Sequence, residues 1–321
     1  MRKRRGAGDG GLGMVIIALT LMGACVAPIR PTQAGRNAHA ASRPTARPAP
    51  YGVLLLAHGG SKAWDRAVES IKKGVERKVP IGIAFGMAMP ETIQSAIGDL
   101  QALGVPKIVA VPLFVNSNSE LMTQTRYVLG LSERPSAVFL EALQSDPHYS
   151  GTLFLAQARA SVPISMTSAL DASPQVVDIL YDRAKALSKN PRKETVLLVA
   201  HGPVTDKEDA LWLKTMNLIA ARIKSRGGFD SALAATLRDD APRDVQAKAR
   251  SRLRGMALSA LRRGDRLIVI PDLIAAGGIE SHIRGALAGL PYIWNGRALA
   301  PDPRLAQWVL EESRAAARLM R

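Results

Sequence analysis

Short apolar runs alternate with longer segments of helical periodicity from residue 51 to the end of the chain. The runs "VLLLA", "IGIAF" and "KIVAVPLFV" are continuously apolar, and each precedes a segment with apolar residues at helical spacing. Strands without polar alternation are buried on both faces, as in a parallel sheet covered by helices. The pattern therefore predicts an α/β fold with mainly parallel sheets and helices on both faces.

The same order of elements is written twice along the chain. Landmarks of the first copy recur in the second, in the same order and at similar spacing. They are "GVLLLAHGG" at 52–60 with "TVLLVAHG" at 195–202, "IVAVPLFV" at 108–115 with "LIVIPDLI" at 267–274, and "ALDASPQVVDIL" at 169–180 with "ALAPDPRLAQWV" at 298–309. The repetition predicts two tandem three-layer domains, residues 51–190 and 191–321.

Residues 1–25 break this pattern. A basic head, "MRKRRG", precedes the apolar stretch "GMVIIALTLMGA", which is too short to span a bilayer and is typical of a secretory signal peptide. The stretch ends at Cys25, the one cysteine of the chain, where "LMGAC" is similar to a bacterial lipobox. We expect a bacterial protein that is exported to the periplasm or anchored as a lipoprotein through Cys25. Ordinary cleavage after "AHA" and an uncleaved membrane anchor are the alternatives.

Residues 26–50 are rich in Pro, Ala, Arg and Ser and predict a flexible linker. Together with residues 1–25 they carry +7 of the formal net charge of +16. The other +9 is scattered over helical segments, which favours solvated helix faces. Aromatic residues make up 4% of the chain, too few for a base-stacking platform. An acidic ligand or an anionic membrane face is the alternative use of this charge. We expect no nucleic acid, no nucleotide, and membrane contact only through the N-terminus.

His58 and His201 occupy the same position in the two copies, where the first strand ends. Ligands of open parallel sheets bind beyond the carboxyl ends of the strands. A neutral imidazole there can bind a metal ion or accept a proton, and Gly59 lets the backbone approach a ligand closely. A histidine that only caps its strand is the alternative, but its repetition in both copies favours function.

The loop after each third strand is the second candidate surface. The residues available for hydrogen bonds, weak metal ligation or close backbone approach are Asn116, Asn118, Ser119 and Glu120 in the first copy and Gly277 and Gly278 in the second. His282 lies one turn into the following helix, where it either points back to this loop or is solvated. The sequence contains no HExxH, CxxC or DxD motif, and therefore no self-contained metal signature.

The segments "LLLAHGGSKAWD", "MAMPETIQSAIGDLQALGVPKIVAVPLFVNSNSE" and "ALDASPQ" together resemble the class II chelatases of the CbiX/SirB type. The resemblance covers nearly all of residues 51–321 as two copies and is clearest in the first. It implies a chelatase-type α/β sandwich that inserts Co²⁺, Fe²⁺ or Ni²⁺ into an acidic tetrapyrrole such as sirohydrochlorin, without ATP, as in cobalamin biosynthesis. In this family, one histidine after the first strand and one after the third bind the metal and accept the pyrrole protons.

The family's histidines are only partly retained. His58 and His201 match the first of them, whereas the second falls at Asn118, and at Gly277 in the second copy. Metal insertion requires a ligand set and a base, and an imidazole facing an amide oxygen is a poor site for a transition metal. We therefore expect His201 or His282 to complete a metal site between facing domains.

Other positions also depart from the family. Its late "HP" reads "SP" at Ser173 and "DP" at Asp302. The acidic residue that the family places after the second strand falls near Met87, so that Glu91 is the nearest carboxylate and a candidate ligand. Three hypotheses follow: an active metal chelatase, an exported metal- or tetrapyrrole-binding protein without chelatase activity, and a scaffold that retains only the fold.

Overall fold

Two parallel sheets organise this computed structural model, which describes residues 49–137, 140–141 and 155–320. The first sheet has the strand order β2-β1-β3-β4, and the second has the order β6-β5-β7. The strands are β1 (Gly52–Ala57), β2 (Ile81–Phe85), β3 (Ile108–Pro112), β4 (Ile164–Met166), β5 (Glu194–Ala200), β6 (Ser231–Thr236) and β7 (Arg266–Pro271). All strand pairs in these ranges are parallel, which confirms the predicted sheet type.

Helices follow the strands as the apolar periodicity predicts. They are α1 (Lys62–Val75), α2 (Pro90–Ala102), α3 (Glu120–Val128), α4 (Pro174–Leu187), α5 (Asp206–Gly227), α6 (Arg243–Arg262), α7 (Ile279–Ala286) and α8 (Pro303–Leu319). Pro90, Pro174 and Pro303 each occupy the first turn of a helix. Proline suits that position because its φ is already helical and no backbone N–H is required there.

The strand before each His-Gly pair, β1 or β5, lies inside its sheet and places the pair at the carboxyl edge of that sheet. β1 and β5 are buried along their whole length. Ala57 lies opposite Phe85 and Ala200 lies opposite Thr236, so both copies end their first two strands in equivalent register. His58 and His201 follow directly at the carboxyl edges of the two sheets.

The last helix of each half packs against the other half. α4 lies on α5 and β7, and α8 lies on α1 and β3. Lys107, which precedes β3, donates hydrogen bonds to the carbonyl oxygens of Ala317 (2.6 Å) in the last turn of α8 and of Met320 (2.8 Å) directly after it. One apolar core therefore contains residues of both sheets, from Val53 and Val109 to Val196 and Ile268.

Two predictions are not tested by this structure. The division into domains 51–190 and 191–321 stays a prediction, because the described residues belong to one compact unit joined by the exchanged helices. The signal segment, Cys25 and the linker up to residue 48 lie outside the described residues. Within the part of the chain that the structure does describe, no helix is long and apolar enough to cross a bilayer.

Asp272 is a buried carboxylate in this core. It follows β7 at the position that Leu113 occupies after β3, since Pro112 and Pro271 correspond. Its side chain is fully buried, and neither carboxylate oxygen has a hydrogen-bond partner among the residues that the structure describes. Burial penalises the charged form and raises the pKa of Asp272 from 3.8 to about 7.

We predict that Asp272→Leu, which copies the first half, stabilises the protein at pH 8. The folded state retains the Asp272 proton up to about pH 7, whereas an unfolded aspartate loses it near its ordinary pKa of 3.8. Stability from this group is therefore full at low pH and is lost as the pH rises toward 7, by about 4 kcal/mol. Urea unfolding at pH 4 and pH 8 would show a gain in the free energy of unfolding that is largest at pH 8.

The reciprocal Leu113→Asp variant should lose stability with the same pH trend. An equal gain for Asp272→Leu at both pH values would contradict this explanation.

Candidate functional site

The two His-Gly pairs hold their imidazoles in the same way. Nδ1 of His58 lies 2.8 Å from the carbonyl oxygen of Gly59, and Nδ1 of His201 lies 2.9 Å from that of Gly202. A carbonyl oxygen only accepts, so Nδ1 carries the hydrogen in both rings. The lone pair of each neutral ring is then on Nε2, the atom available to a metal ion or a proton.

Glycine is required for this arrangement in the second half. Gly59 and Gly202 have φ values of +80° and +82°, a region that favours glycine. A Cβ added to Gly202 would also lie 2.6 Å from Cβ of Thr236. In each His-Gly pair, the glycine conformation therefore allows its carbonyl oxygen to bond Nδ1 of the preceding histidine. Nε2 then faces outward.

Acidic residues join the two histidines of the second half into one cluster. Nε2 of His201 lies 3.4 Å from a carboxylate oxygen of Asp240. Nδ1 of His282 lies 2.9 Å from Asp239, which also accepts from Arg250 at 2.9 Å. Burial opposes ionisation of Asp239, but hydrogen bonds from Arg250 and His282, and the charges of His282 and His201, lower the pKa of Asp239 overall.

The acidic members of this cluster were missed in the sequence. "RDDAP" directly follows β6, and Pro242 in it corresponds to Pro90 after β2. In the first copy, the family's acidic position after the second strand falls near Met87, and Glu91 is the nearest carboxylate. In the second copy, Asp239 and Asp240 fill that place. As the side chains stand, no three His, Cys, Asp or Glu residues within the described ranges have an arrangement that could hold a metal ion.

The described residues of the first half form no such cluster. His58 is exposed, and Glu91 is exposed in the first turn of α2. Among the described residues, no hydrogen bond or ion pair joins His58 to Glu91. The side chain of Asn118 donates to Oδ1 of the buried Asn116 at 2.9 Å, which fixes the loop rather than offering the amide to a ligand.

Residues of the second half form hydrogen bonds with the 116–120 loop of the first half. The indole N–H of Trp212 in α5 donates to the carbonyl oxygen of Asn118 at 2.6 Å. One carboxylate oxygen of Glu208 accepts from the backbone N–H of Glu120 at 2.7 Å. The side chain of Ser119 caps α3. The backbone of two predicted substrate-binding residues of this loop, Asn118 and Glu120, is thus bound by the second half.

The corresponding loop of the second half meets α1 of the first. A Cβ on Gly277 would lie 3.0 Å from a ring carbon of Trp64, so glycine permits this close approach. The backbone N–H groups of Gly277 and Gly278 donate to one carboxylate oxygen of Glu280, at 3.2 and 2.9 Å. The backbone donors predicted for a ligand therefore bind a carboxylate of the chain itself.

Comparisons with known proteins extend this description. A protein-family model described as CbiX matches residues 52–187. The sirohydrochlorin cobaltochelatase of Methanothermobacter thermautotrophicus is 25% identical over 138 residues, which are 42% of this chain and 91% of that relative. The match to the family model lies in the first half of the chain.

Solved structures show the likeness of the fold. SirB from Bacillus subtilis with Fe³⁺ superposes with a TM-score of 0.54 at 18% identity, covering 83% of this chain and 95% of that one. The sirohydrochlorin chelatase SirB from Bacillus subtilis subspecies spizizenii in complex with cobalt gives 0.55 at 15% identity, covering 84% and 96%. DR2241 from Deinococcus radiodurans, a multi-domain protein with structural similarity to chelatases, gives 0.52 at 15% identity, and the matched part covers 83% of this chain but 54% of that one. The predicted chelatase-type α/β fold is confirmed.

We predict that Trp212→Phe loosens the 116–120 loop. The variant retains an aromatic ring but loses the hydrogen bond to Asn118, a loss of about 1 kcal/mol in the free energy of unfolding. Amide hydrogen exchange at residues 118–120 should accelerate. Trp64→Phe, which changes the reciprocal contact with Gly277, is the matched control and should leave that exchange unchanged. Unaltered exchange in Trp212→Phe would show that the indole N–H does not hold the loop.

Proposed function

We propose that the protein acts on a divalent metal ion and an acidic tetrapyrrole, because residues 52–187 match the CbiX family model. The proposed reaction is insertion of Co²⁺, Fe²⁺ or Ni²⁺ into sirohydrochlorin or a close relative, without ATP. The metal ion is a substrate in this reaction. The proposed metal site is the cluster of His201, Asp239, Asp240 and His282.

The observation that carries this proposal is the pairing of His201 with Asp240. With Nδ1 bonded to Gly202, Nε2 of a neutral His201 and the carboxylate of Asp240 are both acceptors, so a cation or a proton between them would bind both. Their separation is 3.4 Å. Transition metals bind imidazole nitrogen and carboxylate oxygen at about 2.0 to 2.2 Å, so one ion fits between these atoms at a roughly tetrahedral angle.

His282 and Asp239 supply the rest of the proposed ligand set. Asp239 is 7% exposed and His282 is 49% exposed, so the imidazole is free to turn while the carboxylate stays fixed. A turn of His282 that gives up its bond to Asp239 frees both the imidazole and that carboxylate oxygen to bind the ion. This local rearrangement reconciles the proposal with side chains that do not yet converge on a metal position.

The same groups serve as bases in the proposed mechanism. Metal insertion releases two protons from pyrrole nitrogens, and each needs an acceptor near the ring. Nε2 of His201 is one candidate, and it becomes free to accept a proton once the ion has passed from it to the ring. His58 is the second, because its Nδ1 is bonded to Gly59 and its exposed ring leaves Nε2 available. The net positive charge of residues 51–321 favours a substrate that carries several carboxylates.

The second candidate function is an exported protein that binds a metal ion or tetrapyrrole without catalysing insertion. The signal-like residues 1–25 favour it, because family members act on a precursor made inside the cell. The occupied 116–120 loop also favours it, because Asn118 stands where the family has its second histidine and is bound by Trp212. Lipidation at Cys25 would place such a protein at a membrane surface.

We predict that the second half binds cobalt. Calorimetric titration of the full chain with Co²⁺ should show one site, and His201→Ala or Asp239→Asn should lower the affinity tenfold or more, because each removes a ligand. His58→Ala is the matched control, since it removes the equivalent imidazole of the first half, and should leave the affinity within about twofold.

The two functions separate when the same samples receive sirohydrochlorin and are followed by absorbance. Insertion faster than the spontaneous rate, and slowed by His201→Ala, supports the chelatase. Cobalt binding without acceleration supports the binding protein. Binding that is lost in His58→Ala and kept in His201→Ala would place the site in the first half and contradict the proposal.

A further inference from the structure

Arg238 has a backbone φ in the left-handed region, which residues other than glycine rarely adopt. It is one of three non-glycine residues with positive φ in the described ranges, at +57°. In the loop after β2 of the first half, the small residue Ala88 has a similar φ of +54°. A large, buried arginine held in this conformation indicates that its side chain has a role there.

The side chain of Arg238 binds the loop that follows β5. Arg238 is 7% exposed, and its guanidinium donates to the carbonyl oxygens of Pro203 and Val204 and to the carboxylate of Asp206. Its backbone N–H donates to the carbonyl oxygen of His201 at 2.6 Å. The residue thus holds the chain from His201 to Asp206 through both its main chain and its side chain.

Asp239 and Asp240 follow Arg238 directly in the chain. Any change in the Arg238 contacts moves these carboxylates relative to His201, because the residue joins the two loops. We propose that Arg238 is a positioning residue that sets the distance between His201 and the acidic pair. It does not itself contact the metal ion, since all its nitrogens bind the 203–206 loop. This inference rests on the proposed function of the cluster.

The test compares Arg238→Gly, Arg238→Lys and a control, Arg222→Ala, which removes an arginine of α5 that binds the carbonyl oxygen of Ala172. Arg238→Gly relieves the backbone strain and removes the clamp. Its affinity for Co²⁺ should fall about 10- to 100-fold, the range typical of residues that orient metal ligands, with little change in the thermal midpoint.

Arg238→Lys should recover only part of the lost cobalt affinity, because an ammonium group cannot bind several carbonyls in a fork. Arg222→Ala should bind cobalt normally.

A second readout needs no metal ion and separates this inference from the proposed function. The chain has five histidines, so their ¹⁵N NMR signals can be assigned by substitution. Arg238→Gly should shift the ring signals of His201 and His282 and leave those of His58 in place. If the wild-type chain does not bind cobalt, the proposed function fails and the NMR result alone decides the positioning role. Unchanged signals for His201 and His282, or unchanged cobalt affinity in Arg238→Gly, would overturn the inference.

Discussion

The exchange of the last helices between the two halves is the constraint on which the rest of the structure depends. α8 completes the cover of the first sheet, and α4 completes that of the second, so that neither sheet is covered by its own half alone. Because the two sheets share one apolar core, their carboxyl edges have a fixed position relative to each other. Loops that would bind ligands in an isolated domain then meet the first helix of the other half, as Trp212 with Asn118 and Trp64 with Gly277 show.

This packing is consistent with a division of roles between the copies. The first half retains the sequence pattern that the CbiX model matches, but its loop after β3 is bound by the second half. The second half lies outside that match, yet it carries two histidines and two aspartates beside the end of β5. Duplication allows one copy to hold the interface while the other keeps polar groups at the sheet edge.

The sequence was informative where local pattern decides structure. Continuous apolar runs predicted the parallel strands, and the repeated His-Gly predicted equivalent positions for His58 and His201. The sequence could not reveal the exchanged helices, because the contact between Lys107 and the end of α8 joins residues more than two hundred positions apart. It also could not show that Glu280 binds the N–H groups of Gly277 and Gly278, since a carboxylate in a helix's first turn is common without such a role. The candidate residue Asp239 could have been predicted from the sequence, because it follows the second strand of the second copy.

The central claim is that the second half, and not the first, holds the metal ion. Crystals of the full chain soaked in Co²⁺ and measured at the cobalt absorption edge test it most directly. The account predicts one strong anomalous peak within bonding distance of Nε2 of His201, with Asp240, Asp239 and His282 drawn toward it. A peak at His58 instead, or none at His201 when cobalt is bound in solution, would contradict the account.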